Sequence, residues 1–140
     1  MRTVATFALL ALGMILAAAS QEKPAIKMVP PTNVPASSGP EMFKTYCAVC
    51  HGTSGKGDGP AAQALKTAPP DLTQITRRNN GQFPELKVQQ SITMDHEVGA
   101  HGNREMPVWG QVFRSIETGD SIWRLRVQNL TLYIRSIQAK

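Results

Sequence analysis

Cys47-Ala48-Val49-Cys50-His51 constrains this chain more than any other stretch. Two thiols three residues apart, followed at once by an imidazole, form the attachment pattern for a c-type haem. The spacing has a geometric reason. Residues three or four apart on a helix share a face, so Cys47 and Cys50 can both reach the vinyl groups along one edge of a porphyrin. His51, four residues after Cys47, stands at the helix end, where its ring can turn under the macrocycle. A chain built on this motif has to wrap a flat apolar group and bring up a second axial ligand from elsewhere.

The N-terminal residues place the motif outside the cytoplasm. Arg2, the apolar run Val4–Leu16 and the small residues Ala17-Ala18-Ala19-Ser20 have the order of a secretory signal peptide. Residues 1–20 are therefore expected to be removed, and an uncleaved anchor is the alternative. The apolar run is short against the roughly 20 residues needed to span a bilayer. In an exported protein two cysteines usually form one disulfide, but a Cys47–Cys50 bridge would close a ring too small to constrain the unfolded chain. A thioredoxin-type dithiol needs a βαβ setting, and no strand pattern precedes Cys47. A structural zinc wants four ligands, which would require His96 or His101 to fold back onto the pair.

Loss of the leader takes away Arg2 alone and leaves 14 basic against 10 acidic residues. The surplus is mild and spread along the chain. No basic cluster interleaved with aromatics supports nucleic-acid binding. The surplus suits either ordinary solubility or steering towards an acidic protein partner. Aromatic residues are 6% of the chain, few for a self-sufficient core and in keeping with packing around a cofactor.

Residues 21–38 carry Pro24, Pro30, Pro31 and Pro35 and few large apolar side chains. They read as an extended arm or tether outside the core. The domain follows over 39–140. Gly39 as N-cap, Pro40 in the first turn and Gly52 as terminator predict a helix over 40–51, with Phe43, Cys47 and Cys50 on one face. Four glycines between Gly52 and Pro60 make that stretch a loop. Short helical turns are expected over 61–66 and 71–78, a turn at Asn80-Gly81, a helix over 84–93 and a loop over 95–110. The last helix, from Asp120 or Ser121 to about Gln138, is marked by Trp123, Val127, Leu130, Ile134 and Ile137 at spacings of three and four. Arg124, Arg126, Gln128 and Arg135 fall largely outside that stripe. No strand alternation is visible, and the class is all-α.

Together these features resemble the class I, monohaem c-type cytochromes. The resemblance covers roughly Gly39–Ile137. It rests on Cys47-x-x-Cys50-His51, on Met106-Pro107 about 55 residues later in a glycine-rich loop, and on Gly39/Phe43 paired with Leu130/Tyr133. In that family the last two pairs form the crossing of the first and last helices. The resemblance implies a small all-α fold of about three to five helices around one covalently attached haem c. It implies thioethers at Cys47 and Cys50, His51 as proximal iron ligand and Met106 as sixth ligand. It also implies a proline carbonyl that accepts from the second ring nitrogen of His51, for which Pro60 is the matching position. His96 and His101 are rival sixth ligands, and Met94 a further one. Trp109, Arg77 and Arg78 are candidates to meet the propionates.

A Met/His pair raises the reduction potential and leaves no open coordination position. The expectation is an electron-transfer protein and not an enzyme, a one-electron carrier in a periplasmic respiratory or dehydrogenase chain. Its partners would be redox proteins, with membrane contact only if the leader stays attached. The alternatives are an obligate haem subunit of a periplasmic oxidoreductase complex, and a haem enzyme or gas sensor with a labile sixth ligand. A free carrier would be a monomer.

Overall fold

The computed structural model describes residues 31–93, 106–116 and 119–140, apart from the side chain of Asp120. The expected leader (1–20), Met94, His96 and His101 lie outside the described residues. The described elements are helical throughout. The first helix runs as α1 (Gly39–Met42), a π-helical turn (Phe43–Cys47) and α2 (Ala48–His51). Single 3-10 turns follow at Ala62–Ala64 and Leu72–Gln74, then α3 (Ile75–Arg78), α4 (Glu85–Thr93), α5 (Trp109–Ile116) and α6 (Asp120–Ser136).

α6 organises the domain, because α1, α4 and α5 all pack on it. Its buried stripe is Val127, Leu130, Thr131 and Ile134, at the three- and four-residue spacing of one helix face. Thr131 fits this apolar row because its hydroxyl donates to the Val127 carbonyl at 2.7 Å. α1 crosses α6 at Gly39. A Cβ there would collide with the Asn129 carbonyl oxygen and stand 3.0 Å from the Tyr133 Cβ, so only a glycine lets the two backbones come this close. One turn on, the Phe43 ring tilts against Tyr133 with centroids 5.1 Å apart.

The N-cap differs from expectation. Gly39 is already inside the helix, and Ser38 caps it, its Oγ accepting from the Glu41 N–H at 3.4 Å. A serine hydroxyl satisfies an orphan N–H that glycine cannot. The π turn is the second departure. Ala48 N–H donates to the Phe43 carbonyl, five residues back. Phe43 is 1% exposed against α6, while Cys47 remains half-buried at the edge of the same core.

Residues 32–36 are not a free arm. The Tyr46 hydroxyl donates to the Thr32 carbonyl at 2.7 Å, and Asn129 Nδ2 donates to the Ala36 carbonyl at 2.8 Å. Arg126 Nη2 donates to Asn33 Oδ1 at 2.9 Å, and Arg126 Nη1 donates to the Val34 carbonyl. Val34 itself joins the core. Arg126, expected outside the apolar stripe, is fully buried. It lies inward because the strap covers it with carbonyls, and buried charge is tolerated only where such acceptors meet it. α5 is the element the glycine-rich surroundings concealed; it buries Gly110 and Phe113.

Two outcomes follow. Gly39→Ala is expected to cost about 1–3 kcal/mol, because the added methyl meets backbone that cannot rotate away; denaturant unfolding of the holoprotein measures it. Arg126→Met is expected to cost about 1–3 kcal/mol, since it leaves carbonyl acceptors of the strap buried and unmatched. Limited proteolysis would then cut within residues 32–36 of the folded variant, whereas wild-type resistance there would contradict this role for the strap.

Candidate functional site

The helix end and the glycine loop after it build the site. Gly52 ends α2 at φ 75°, and the chain doubles back under the motif. The last carbonyls of the helix then find donors: Ala61 N–H to Val49 O at 2.9 Å, Gly59 N–H to Cys50 O at 3.1 Å and Gly57 N–H to His51 O at 2.8 Å. Helix C-termini leave such carbonyls orphaned, and here the loop caps all three. The approach is tight enough that a Cβ on Gly59 would lie 2.5 Å from Val49 O and 2.6 Å from Ala48 O. Leu72 N–H donates to Gly55 O at 2.7 Å and ties the loop to the following turn.

This second tie brings Pro70 to His51. The His51 Nδ1 stands 3.4 Å from the Pro70 carbonyl oxygen. With the proton on Nδ1 donated there, Nε2 keeps its lone pair for a metal. The carbonyl is Pro70 and not Pro60. Pro60 is exposed at the end of the glycine loop, whereas the bond from Leu72 to Gly55 draws 70–72 over the imidazole. No spacing rule on the sequence separates the two prolines, because the choice depends on that loop contact. Burial pushes the His51 pKa below its ordinary value, and the Pro70 carbonyl opposes the shift. The result favours the neutral ring, the form that ligates metals.

Cys47 and Cys50 are both free and half-buried. Burial pushes the Cys47 thiol up to about 12, with the neighbouring Cys50 adding to the shift, and burial raises Cys50 as well. A thioether carries no charge and loses nothing by burial, so this environment is compatible with covalent attachment at both positions.

Met106 lies half-buried three residues before α5. α5 begins with Trp109, whose ring packs on Tyr46, the residue before Cys47. The fold thus brings the approach to Met106 alongside the thiol-bearing helix. Arg77 and Arg78 are exposed, and Arg78 Nη2 donates to the Asp71 carbonyl at 2.6 Å. The open cleft between α4 and α6, lined by Leu86, Gln89, Thr93, Trp123, Arg124 and Gln128, shares no residue with this site.

The family model described as Cytochrome c matches residues 36–137, well over half of the chain. The chain belongs to the cytochrome c family. Its cofactor is haem c, attached covalently and carrying iron, and Cys47-x-x-Cys50-His51 is the motif for it. Its chemistry is haem-based electron transfer. No curated relative and no solved structure matches the chain. The residues present fit the cofactor: two unbridged thiols one turn apart, an imidazole with Nε2 left over, and a thioether on a neighbouring segment.

Gly59→Ala is expected to lower both the yield of haem-loaded protein and its unfolding temperature. The methyl pushes the loop off the Val49 and Cys50 carbonyls at a cost of about 1–3 kcal/mol. Haem content per protein and a thermal melt check it together.

Proposed function

We propose that this cytochrome is an exported, soluble one-electron carrier of a periplasmic respiratory or dehydrogenase chain, with His51 and Met106 as axial ligands. The observation that carries the reading is the His51 imidazole. It is buried, faces a backbone carbonyl through Nδ1, directly follows Cys50 and stands one turn after Cys47. When bound, haem c supplies a one-electron ferric/ferrous couple. The protein's part is to hold that couple in one geometry and set its potential.

Each residue has a stated task. Cys47 and Cys50 would anchor the macrocycle by thioether bonds. His51 would hold the iron through Nε2, its ring kept from rotating by the Pro70 carbonyl. The soft Met106 sulfur favours the ferrous state and so raises the potential. Phe43, Val88, Ile92 and Ile134 exclude water from the interior, which also disfavours the extra charge of the oxidised state. With His51 and Met106 both holding the iron, no coordination position would be left for a substrate, and the protein would carry electrons without itself catalysing. Arg2, the apolar run Val4–Leu16 and the small residues up to Ser20 support export, and no helix among the described residues is long and apolar enough to cross a membrane.

The test is spectroscopic. The oxidised holoprotein is expected to show the weak far-red sulfur-to-ferric-iron band, which Met106→Ala abolishes. The reduced native protein is expected to refuse carbon monoxide. Stoichiometric carbon monoxide binding without denaturant would instead favour an open-site enzyme or sensor.

A further inference from the structure

Three rings connect the segment carrying Met106 to the helix carrying Cys47. Trp109, the first residue of α5, stacks on Phe113 with centroids 5.5 Å apart and planes inclined by 28°. It also tilts against Tyr46 at 5.3 Å, and Tyr46 meets Phe113 at 5.4 Å. The rings close a triangle. Tyr46 is 4% exposed and is itself held, because its hydroxyl donates to the Thr32 carbonyl of the strap. Behind the triangle, α5 meets the end of α4: a Cβ on Gly110 would lie 3.0 Å from the Thr93 carbonyl oxygen and 3.2 Å from the Thr93 Cα.

Little freedom remains between this anchor and the sulfur. Only Pro107 and Val108 separate Met106 from Trp109. The proline ring fixes its own φ and confines the backbone of Met106 to extended conformations. A held Trp109 ring therefore keeps the Met106 Cα within three residues of a fixed point, before any ligand bond forms.

We propose that Trp109 is a positioning residue for the Met106 sulfur, with Tyr46 as its brace. The triangle holds the C-terminal end of the ligand segment against the thiol-bearing helix, so that the sulfur stays near the sixth position and competes successfully with external ligands. The inference rests on the reading of Met106 as sixth ligand given above. A second consequence concerns the strap. Because Tyr46 hangs from Thr32, residues 32–36 support the sixth ligand from the far side of the helix, although they contain no ligand themselves.

Imidazole titration of the oxidised holoprotein tests this, with the sulfur-to-iron band as readout and guanidinium unfolding measured in parallel. An incoming ligand binds in proportion to the fraction of protein whose sulfur is off the metal. Trp109→Ala loses two ring contacts, and its imidazole affinity is expected to rise about tenfold or more. Trp109→Phe is expected to restore most of the wild-type value. Tyr46→Phe, which removes only the hydroxyl, is expected to raise the affinity a few-fold. A Trp109→Ala protein that loses global stability yet binds imidazole as the wild type does would overturn the proposal and leave Trp109 an ordinary core residue. Should that variant not mature, Trp109→Leu and Tyr46→Phe carry the test, and unchanged affinity in both overturns it. The underlying reading fails separately: a wild-type protein without the band, unaltered by Met106→Ala, removes Met106 as ligand whatever the tryptophan variants do.

Discussion

The close approach of Gly39 to the Asn129 carbonyl is the contact from which the site is built. It sets the angle and height at which the first helix meets α6. Phe43, one turn further, then reaches Tyr133, and Met42 is buried beside it. The π turn runs from Phe43, which packs on α6, to Cys47, the first thiol, and such turns inside α-helices are frequent at functional sites. One helix thereby serves two neighbours: its first half packs on α6, and its second half offers two thiols and an imidazole to a cofactor.

Backbone hydrogen bonds, more than side-chain packing, hold the second half in place. The glycine loop caps the Val49, Cys50 and His51 carbonyls and, through Gly55 and Leu72, carries Pro70 to the imidazole. On the opposite side the 32–36 strap receives bonds from Tyr46, Arg126 and Asn129. Burying an arginine is costly unless acceptors meet it, and the strap accepts from both of its Nη atoms. Thr32 to Ala36 are thus as much a part of the domain as the helices they cross.

The attachment motif, the two faces of the helix crossing and the stripe on α6 are all legible in the sequence, because each is a spacing pattern within one element. Val127, Leu130 and Ile134 lie where their period puts them. What escapes is whatever depends on contacts between segments distant in the chain. Pro60 is nearer to His51 in sequence, but Pro70 faces the ring, since the Gly55–Leu72 bond decides. The strap reads as a tether because its prolines forbid helix and strand, and nothing local announces that Arg126, 92 residues after Val34, will bind its carbonyl. α5 escapes for a different reason: Gly110 reads as the end of a loop, whereas here it serves close packing on Thr93. The π turn is invisible to a period of 3.6 by construction.

The fold presents Cys47 and Cys50 as a pair for one covalently attached haem. Intact mass spectrometry of the protein, made with a haem-attachment system and denatured in acid before injection, addresses it most directly. The account predicts a single haem adduct that survives denaturation and is lost in the Cys47→Ser, Cys50→Ser double variant. A chain of unmodified mass, under conditions where a control cytochrome acquires its haem, would contradict it.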